Sequence, residues 1–266
     1  MQQRGLRPSE GIEPVQDLDA LELDGLQQYQ LLDQELDRHP LDGTTPDWLA
    51  VHNGRGVLPA GSGAALEQRQ LAERWKALTQ QLKGLGECRR ESHSLGGRSR
   101  PLLFAGDVQV VVQAGQLRPT GVMQCWLQHL LLCAGDAAPA GGSAVVARST
   151  KVAGAAVDLH WRPLAAAEAQ FLQQQLQDLA ASGLERCWPI PPKSGWQLAW
   201  KEHNKAGSGL AGFQSEWLDE RQNSVMQLCF GVDAEGDRLL NTPGFNEASR
   251  LLYGPILQHL KPATSR

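Results

Sequence analysis

The stretch from Pro119 to Gly135, PTGVMQCWLQHLLLCAG, limits what this chain can fold into more than any other. Met123, Trp126, Leu127, Leu130, Leu131 and Ala134 recur at the three-and-four spacing of one helical face. Val122, Cys125, Leu132 and Cys133 carry the apolar surface most of the way round. A helix that is apolar on nearly every side has to be buried. Pro119 suits a helix start, and Gly135 stands where a left-handed cap is expected. Gln124, Gln128 and His129 interrupt the run, which is shorter than the about 20 apolar residues a bilayer demands. The stretch therefore reads as the central helix of a soluble domain with elements packed on both sides.

A chain of 266 residues can bury a substantial core, and its eight tryptophans argue against general disorder. Charge is unevenly spread: residues 1–60 sum to -7 and the remainder to +3, within a net charge of -4. An acidic front and a mildly basic body exclude a histone-like nucleic-acid binder and leave room for a local basic track. Five cysteines, at 88, 125, 133, 187 and 229, form no CxxC pair and no zinc spacing. Cys125 and Cys133 fall inside the buried helix, so reduced thiols in a cytoplasmic protein are expected. The chain opens without a basic-headed apolar segment, so neither a signal peptide nor a membrane anchor is expected.

Gly and Pro at positions 5, 8, 11 and 14 mark residues 1–20 as a flexible lead. Leu26, Tyr29, Leu32 and Leu36, stopped by His39-Pro40, predict a helix over Gly25–Arg38, and a short helical turn follows at Asp47–Val51. After a loop at 54–63 comes a long helix, with Leu66, Leu71, Trp75, Leu78 and Leu82 on one face and Glu67, Arg69, Glu73, Arg74 and Lys76 on the solvated side. Gly84–Arg100 reads as a basic loop carrying Arg89, Arg90, Arg98 and Arg100: a solvated connection, or one whose arginines follow a phosphate backbone. Leu102–Gln113 reads as a strand, with a hairpin turn at Ala114-Gly115 and a return over 116–118. Beyond the central helix and a loop at 135–143, AVVA at 144–147 and AVDLHW at 156–161 predict two strands joined around Gly154. Pro163 opens a helix with Leu164, Phe171, Leu172, Leu176 and Leu179 on one face, closed by Gly183. Residues 188–200, with three prolines and three tryptophans, read as irregular, and a glycine-rich loop runs on to Gly212. Residues 210–220 and 222–231 carry no clear period, and a last helix is expected over Asn246–Leu260 with Leu251, Leu252, Ile256 and Leu257. No internal repeat is visible.

Read in order, LELDGLQQYQLLDQEL, GVLPAGSGAALE, WLQHLLLCAG, WRPLAAAEAQFLQQQL, PIPPKSGWQLAW and SRLLYGPIL resemble the C-terminal domain of the RecC family, the gamma subunit of the RecBCD helicase-nuclease, exodeoxyribonuclease V. The resemblance covers nearly all of residues 21–262. It implies an α/β (α+β) fold like the restriction-endonuclease-type nucleases, a mixed sheet flanked by helices, with the active site lost. Active relatives place two carboxylates and a lysine on adjacent strands, in sequences like GxxDRxD and DYKTG, where the acids hold Mg²⁺ and the metal activates water. Here GDVQVVV (106–112) and LRPTG (117–121) stand in those places. Gln109 and Val112 replace the first acids, Leu117 the metal-binding aspartate and Pro119 the lysine, while Asp107 remains without a second acid.

On that resemblance the chain is expected to be a non-catalytic, DNA-guiding part of a complex that processes double-strand breaks for recombinational repair. Its expected partners are the alpha and beta subunits of exodeoxyribonuclease V, double-stranded DNA ends and unwound single strands, with no membrane. No cofactor is expected on the chain itself; the Mg²⁺ and ATP of the complex are expected on partner subunits, and no GxxxxGK[ST] loop is found here. DNA contacts are expected from Arg89, Arg90, Arg98, Arg100, Trp196 and Trp200, with Trp188 as a further stacking candidate. Tryptophans set among prolines equally suit core packing or a subunit contact. The full gamma subunit is several times longer and reads the Chi signal with helicase-like front domains that have no counterpart here. Chi recognition is therefore not expected of this chain. The competing reading is an active Mg²⁺-dependent nuclease using Asp107, Asp158, Glu168 and Lys151. A third is an isolated domain without retained function. His129 and His160, on a helix and in a strand, are expected to have structural hydrogen-bonding roles.

Overall fold

The structure is a computed structural model that describes residues 25–39, 41, 47–58, 62–135, 137–149, 155–186 and 188–261. The expected lead at 1–20, the turn around Gly154, and Lys151 and Cys187 lie outside these residues. Two compact units form: unit 1 holds residues 1–91, 102–117 and 145–158, and unit 2 holds 92–101, 118–144 and 159–266.

Unit 1 is built on three helices, α1 (Gly25–Arg38), α2 (Trp48–Gly54) and α3 (Ser62–Leu85). The leucine spacing of α1 sets bounds that the sequence predicts to the residue. Leu32 and Leu36 of α1 are buried, as are Leu71, Trp75, Leu78 and Leu82 of α3. Trp75 meets the α2 ring of Trp48 at 5.7 Å between centroids and the edge of His39 at 6.3 Å. Two expected positions on α3 are reversed. Leu66 is exposed, whereas Glu67 is buried and accepts two hydrogen bonds from Gln28 Nε2, at 3.1 and 2.9 Å. The Gln28 Oε1 in turn accepts from Arg74, so the amide links the buried acid to a guanidinium.

Five strands, β1 (Cys88–Leu95), β2 (Arg98–Ala105), β3 (Val108–Gln116), β4 (Gly142–Arg148) and β5 (Ala156–Trp161), form a mixed sheet in that order. The basic loop expected over 84–100 is instead the end of α3, then β1, a two-residue turn at Gly96-Gly97, and the start of β2. Both turn glycines have positive φ, +56 and +77, the geometry that closes a tight hairpin and that side chains oppose. The expected Ala114-Gly115 turn is likewise corrected. The chain turns at Gly106-Asp107, and β2 pairs antiparallel with β3 through Leu103↔Val110, Phe104↔Gln109 and Ala105↔Val108. β4 is buried from Gly142 to Ala147, which explains its unbroken run of small and apolar residues. β5 spans the predicted residues.

Unit 2 contains the central helix, α4 (Pro119–Ala134). Its deepest face is Val122, Cys125, Trp126, His129, Leu130 and Cys133, while Leu127 stays 41% exposed. Gly135 is extended (φ -101, ψ -166), so the expected left-handed cap is absent. α5 covers Ala166–Glu185, starting three residues after Pro163, running through Gly183 and leaving Phe171 62% exposed. The segment expected to be irregular holds α6 (Pro192–Asn204), because Pro192 occupies a first-turn position where a missing N–H costs nothing. α7 (Gly209–Glu220), α8 (Ser224–Phe230) and α9 (Gly236–Leu240) follow, then α10 (Phe245–Gln258), close to the predicted last helix. Phe213, Trp217, Ala234, Leu239 and Phe245 make a core of their own. Glu220 is buried and accepts from the Lys193 N–H (2.9 Å), the Ser194 N–H (2.7 Å) and the Ser194 hydroxyl, so α7 supplies the cap that α6 lacks.

Candidate nucleic-acid interface

The arginines singled out by composition stand on strands, where backbone pairing fixes them. Arg89 on β1 donates to the Gly106 carbonyl, pairs with Glu91 at 2.5 Å and lies 5.3 Å over the Phe104 ring. Arg90 donates to the carbonyl of Leu36 at the end of α1. Both side chains line one groove in unit 1 together with Arg38 and Lys83, two cations that the sequence reading missed. Each belongs to the last turn of its helix, where a basic residue suits the helix dipole, and that was the available signal.

In unit 2, Arg98 and Arg100 are exposed beside the Gly96-Gly97 turn and, two residues apart on β2, share a face of the strand. Arg100 also lines an apolar groove with Leu95, Met123, Leu127, Leu131 and Leu252. Trp196 is buried at 5% exposure, stacked on Trp200 at 5.7 Å and 18° and meeting Tyr253 edge-on. Trp200 is half-buried. Burial, together with the Glu220 carboxylate, pushes the Tyr253 hydroxyl well above the usual phenol range, so it stays a donor, 3.0 Å from the Pro192 carbonyl. Trp188 donates to the Ser182 hydroxyl at 2.9 Å, with the Arg186 guanidinium 3.9 Å from its ring centroid.

The positions aligned with nuclease catalytic groups are scattered in kind. Gln109 is buried on β3 and Val112 follows on the same strand, whereas Leu117 lies past the strand end and Pro119 begins α4. The second aligned stretch is therefore no strand, which corrects that part of the alignment. Asp107 sits exposed in the β2–β3 turn, Asp158 accepts from Gln81 at 2.8 Å, and Glu168 stands 3.7 Å from His259. Among the described residues no group of three or more His, Cys, Asp or Glu is arranged to hold a metal ion.

The two histidines have the expected hydrogen-bonding roles. His160 Nε2 lies 2.9 Å from the Gly141 carbonyl, and His129 Nδ1 lies 2.9 Å from the Ser143 hydroxyl. His129 stacks on Trp126 at 5.5 Å, and burial, with the charges of His259 and His160, depresses its pKa to about 4. Cys133, one helical turn on, lies 3.8 Å from that ring, but burial pushes its thiol up and leaves it unreactive.

A model of the RecC C-terminal domain matches residues 1–203. The chain belongs to the RecC C-terminal domain family. That membership makes it a domain of a RecBCD subunit, with a part in exodeoxyribonuclease V, DNA repair and recombination. The RecC match takes in the sheet, the hairpin arginines and both Trp196 and Trp200, and it stops before α7. No curated protein matches the chain. Among the described residues no helix is long and apolar enough to cross a membrane.

Proposed function

We propose that this RecC-family chain is a non-catalytic structural and DNA-guiding domain of exodeoxyribonuclease V, which docks the alpha subunit and steers strands at the fork. The observation that carries the proposal is the β1–β2 hairpin, whose residues 88–101 hold four arginines against one acid, with Arg98 and Arg100 exposed beside its turn. Arginines on a hydrogen-bonded hairpin lose less freedom on meeting phosphates than the same residues on a loop would. The sheet flanked by helices suits a restriction-endonuclease-type ancestry, and Gln109, Val112, Leu117 and Pro119 supply no carboxylate for Mg²⁺. Mg²⁺ and ATP then belong to partner subunits. Subunit docking is supported by exposed apolar side chains within residues 210–232: Leu210, Leu218, Val225, Leu228 and Val232.

The test combines size-exclusion chromatography with the alpha and beta subunits and a fork-unwinding assay of the assembled complex carrying Arg98→Glu and Arg100→Glu. Co-elution with alpha, unwinding lowered about tenfold and a salt slope reduced by about 2, for two phosphates no longer neutralised, are expected. Separate elution of the folded chain, or unwinding at the unsubstituted rate, refutes the proposal.

A further inference from the structure

The groove lined by Arg89 and Arg90 in unit 1 has the makings of a ligand site of its own. Its volume is about 790 Å³, within the range of about 300–1,000 Å³ typical of pockets for small organic ligands. Four cations line it, Arg38, Lys83, Arg89 and Arg90, against one lining acid, Glu87. Two further carboxylates stand behind: Glu35 is 3.4 Å from Arg38, and Glu91 pairs with Arg89. The bond of Arg90 goes to the neutral Leu36 carbonyl, which fixes the guanidinium and leaves its charge in place. With Glu35 and Glu91 counted, the described residues leave the site one net positive charge.

Cations are only part of the lining. Leu103 contributes apolar surface, with the buried Leu41 behind it, and the His39 ring contributes a flat one, held by Nε2 at 2.8 Å from Glu35 and by a T-shaped contact with Trp75. A phosphate alone has no use for apolar walls. A duplex keeps its base faces stacked inside and offers only backbone and base edges, whereas a single strand offers phosphate and an unstacked base face together.

Resting on the proposed DNA-guiding role, we propose that this groove binds one or two nucleotides of a single DNA strand, with the phosphates on Lys83 and Arg90 and a base against His39 and Leu103. It would hold a separated strand at a site whose lining comes from α3, β1, β2 and the end of α1, and does not include Arg98 or Arg100.

The experiment measures fluorescence anisotropy of a labelled oligo-dT 10-mer with the full chain at about 50 and 200 mM salt. Lys83→Glu is expected to weaken binding at least tenfold at low salt and to lower the log–log salt slope by about 0.7 for each phosphate that is no longer neutralised. Lys83→Arg is expected to restore it. Unlabelled oligo-dT should displace the probe at lower phosphate concentration than a hairpin duplex or inorganic polyphosphate. Equal displacement by either polyanion overturns the base contact, and an unchanged affinity for Lys83→Glu, checked as folded by circular dichroism, overturns the groove. Loss of oligo-dT binding in Arg98→Glu/Arg100→Glu with Lys83→Glu unaffected also overturns the groove and leaves the hairpin role standing. Failure of the hairpin role itself is read separately, in the fork assay.

Discussion

Acidification tests the core of unit 2 through His129. The ring is fully buried on α4, between the Ser143 hydroxyl at 2.9 Å and the stacked Trp126, and it also hydrogen-bonds the backbone of Arg162. A neutral imidazole serves both bonds, one nitrogen accepting and the other donating. Burial lowers the pKa from 6.5 to about 4, which makes the protonated ring about 3 kcal/mol less favourable in the folded state than in the unfolded one. The sign follows from linkage. Between those two values the unfolded chain binds the extra proton, so stability is complete above pH 6.5 and falls as pH drops toward 4. At pH 5 the loss is about 2 kcal/mol. Replacing His129 by Gln removes the titration while keeping an acceptor and a donor. Urea unfolding of wild type and His129→Gln at pH 7 and pH 5, followed by tryptophan fluorescence, isolates the effect, because other titrating groups cancel in the difference. The variant is expected to be less stable at pH 7 by about 1–2 kcal/mol for the strained bonds, and that deficit should shrink by about 2 kcal/mol at pH 5. A deficit equal at both pH values refutes the account.

Three further outcomes are expected. Glu220→Ala leaves two N–H groups and a hydroxyl at the start of α6 without their acceptor and should cost about 3 kcal/mol by urea unfolding, with Ser194→Ala/Glu220→Ala strongly non-additive; a cost below about 1 kcal/mol removes the capping role. Gly142→Ala should abolish the soluble fold, measured as soluble yield and circular dichroism, since φ is +87 and a Cβ would stand 2.0 Å from the Trp161 carbonyl oxygen; a well-folded variant refutes that packing. For Glu35, burial raises the carboxyl pKa, but hydrogen bonds from His52 and His39 outweigh it and leave the value below 4.5. Its contribution is therefore present above pH 4.5 and lost as acid takes the pH through the lowered value, so Glu35→Gln should destabilise at pH 7 and make no difference in strong acid, as urea unfolding at the two pH values would register.

Where side-chain pattern alone decides structure, the sequence was legible. α1 is predicted to the residue and α4 to within one, because each has an apolar period that burial enforces, and β5 is predicted to the residue from its strand-favouring residues, of which only Trp161 is buried. β1 was not legible. CRRESHSL has no apolar face, and only backbone bonds to its neighbour make it a strand, although Gly96-Gly97 was a readable turn signal. α6 was hidden by its prolines, which precede or start the helix and never interrupt it. The arginines of the candidate interface were visible as composition, but their surroundings were not. Arg90 finds its carbonyl 54 residues away on α1, and local spacing cannot report such a contact.

Buried sheet chemistry favours a neutral side chain at Gln109, the position that the resemblance aligns with a nuclease acid. Gln109 is fully buried on β3, opposite Phe104 in the β2–β3 pairing. A carboxylate at that position needs a metal or a cation beside it, or it costs several kcal/mol as an uncompensated buried charge. Val112, Leu117 and Pro119, at the other aligned positions, carry no charge of their own. A neutral glutamine is the stable occupant of such a buried position. The exposed hairpin arginines carry their positive charge in solvent, where no burial opposes it.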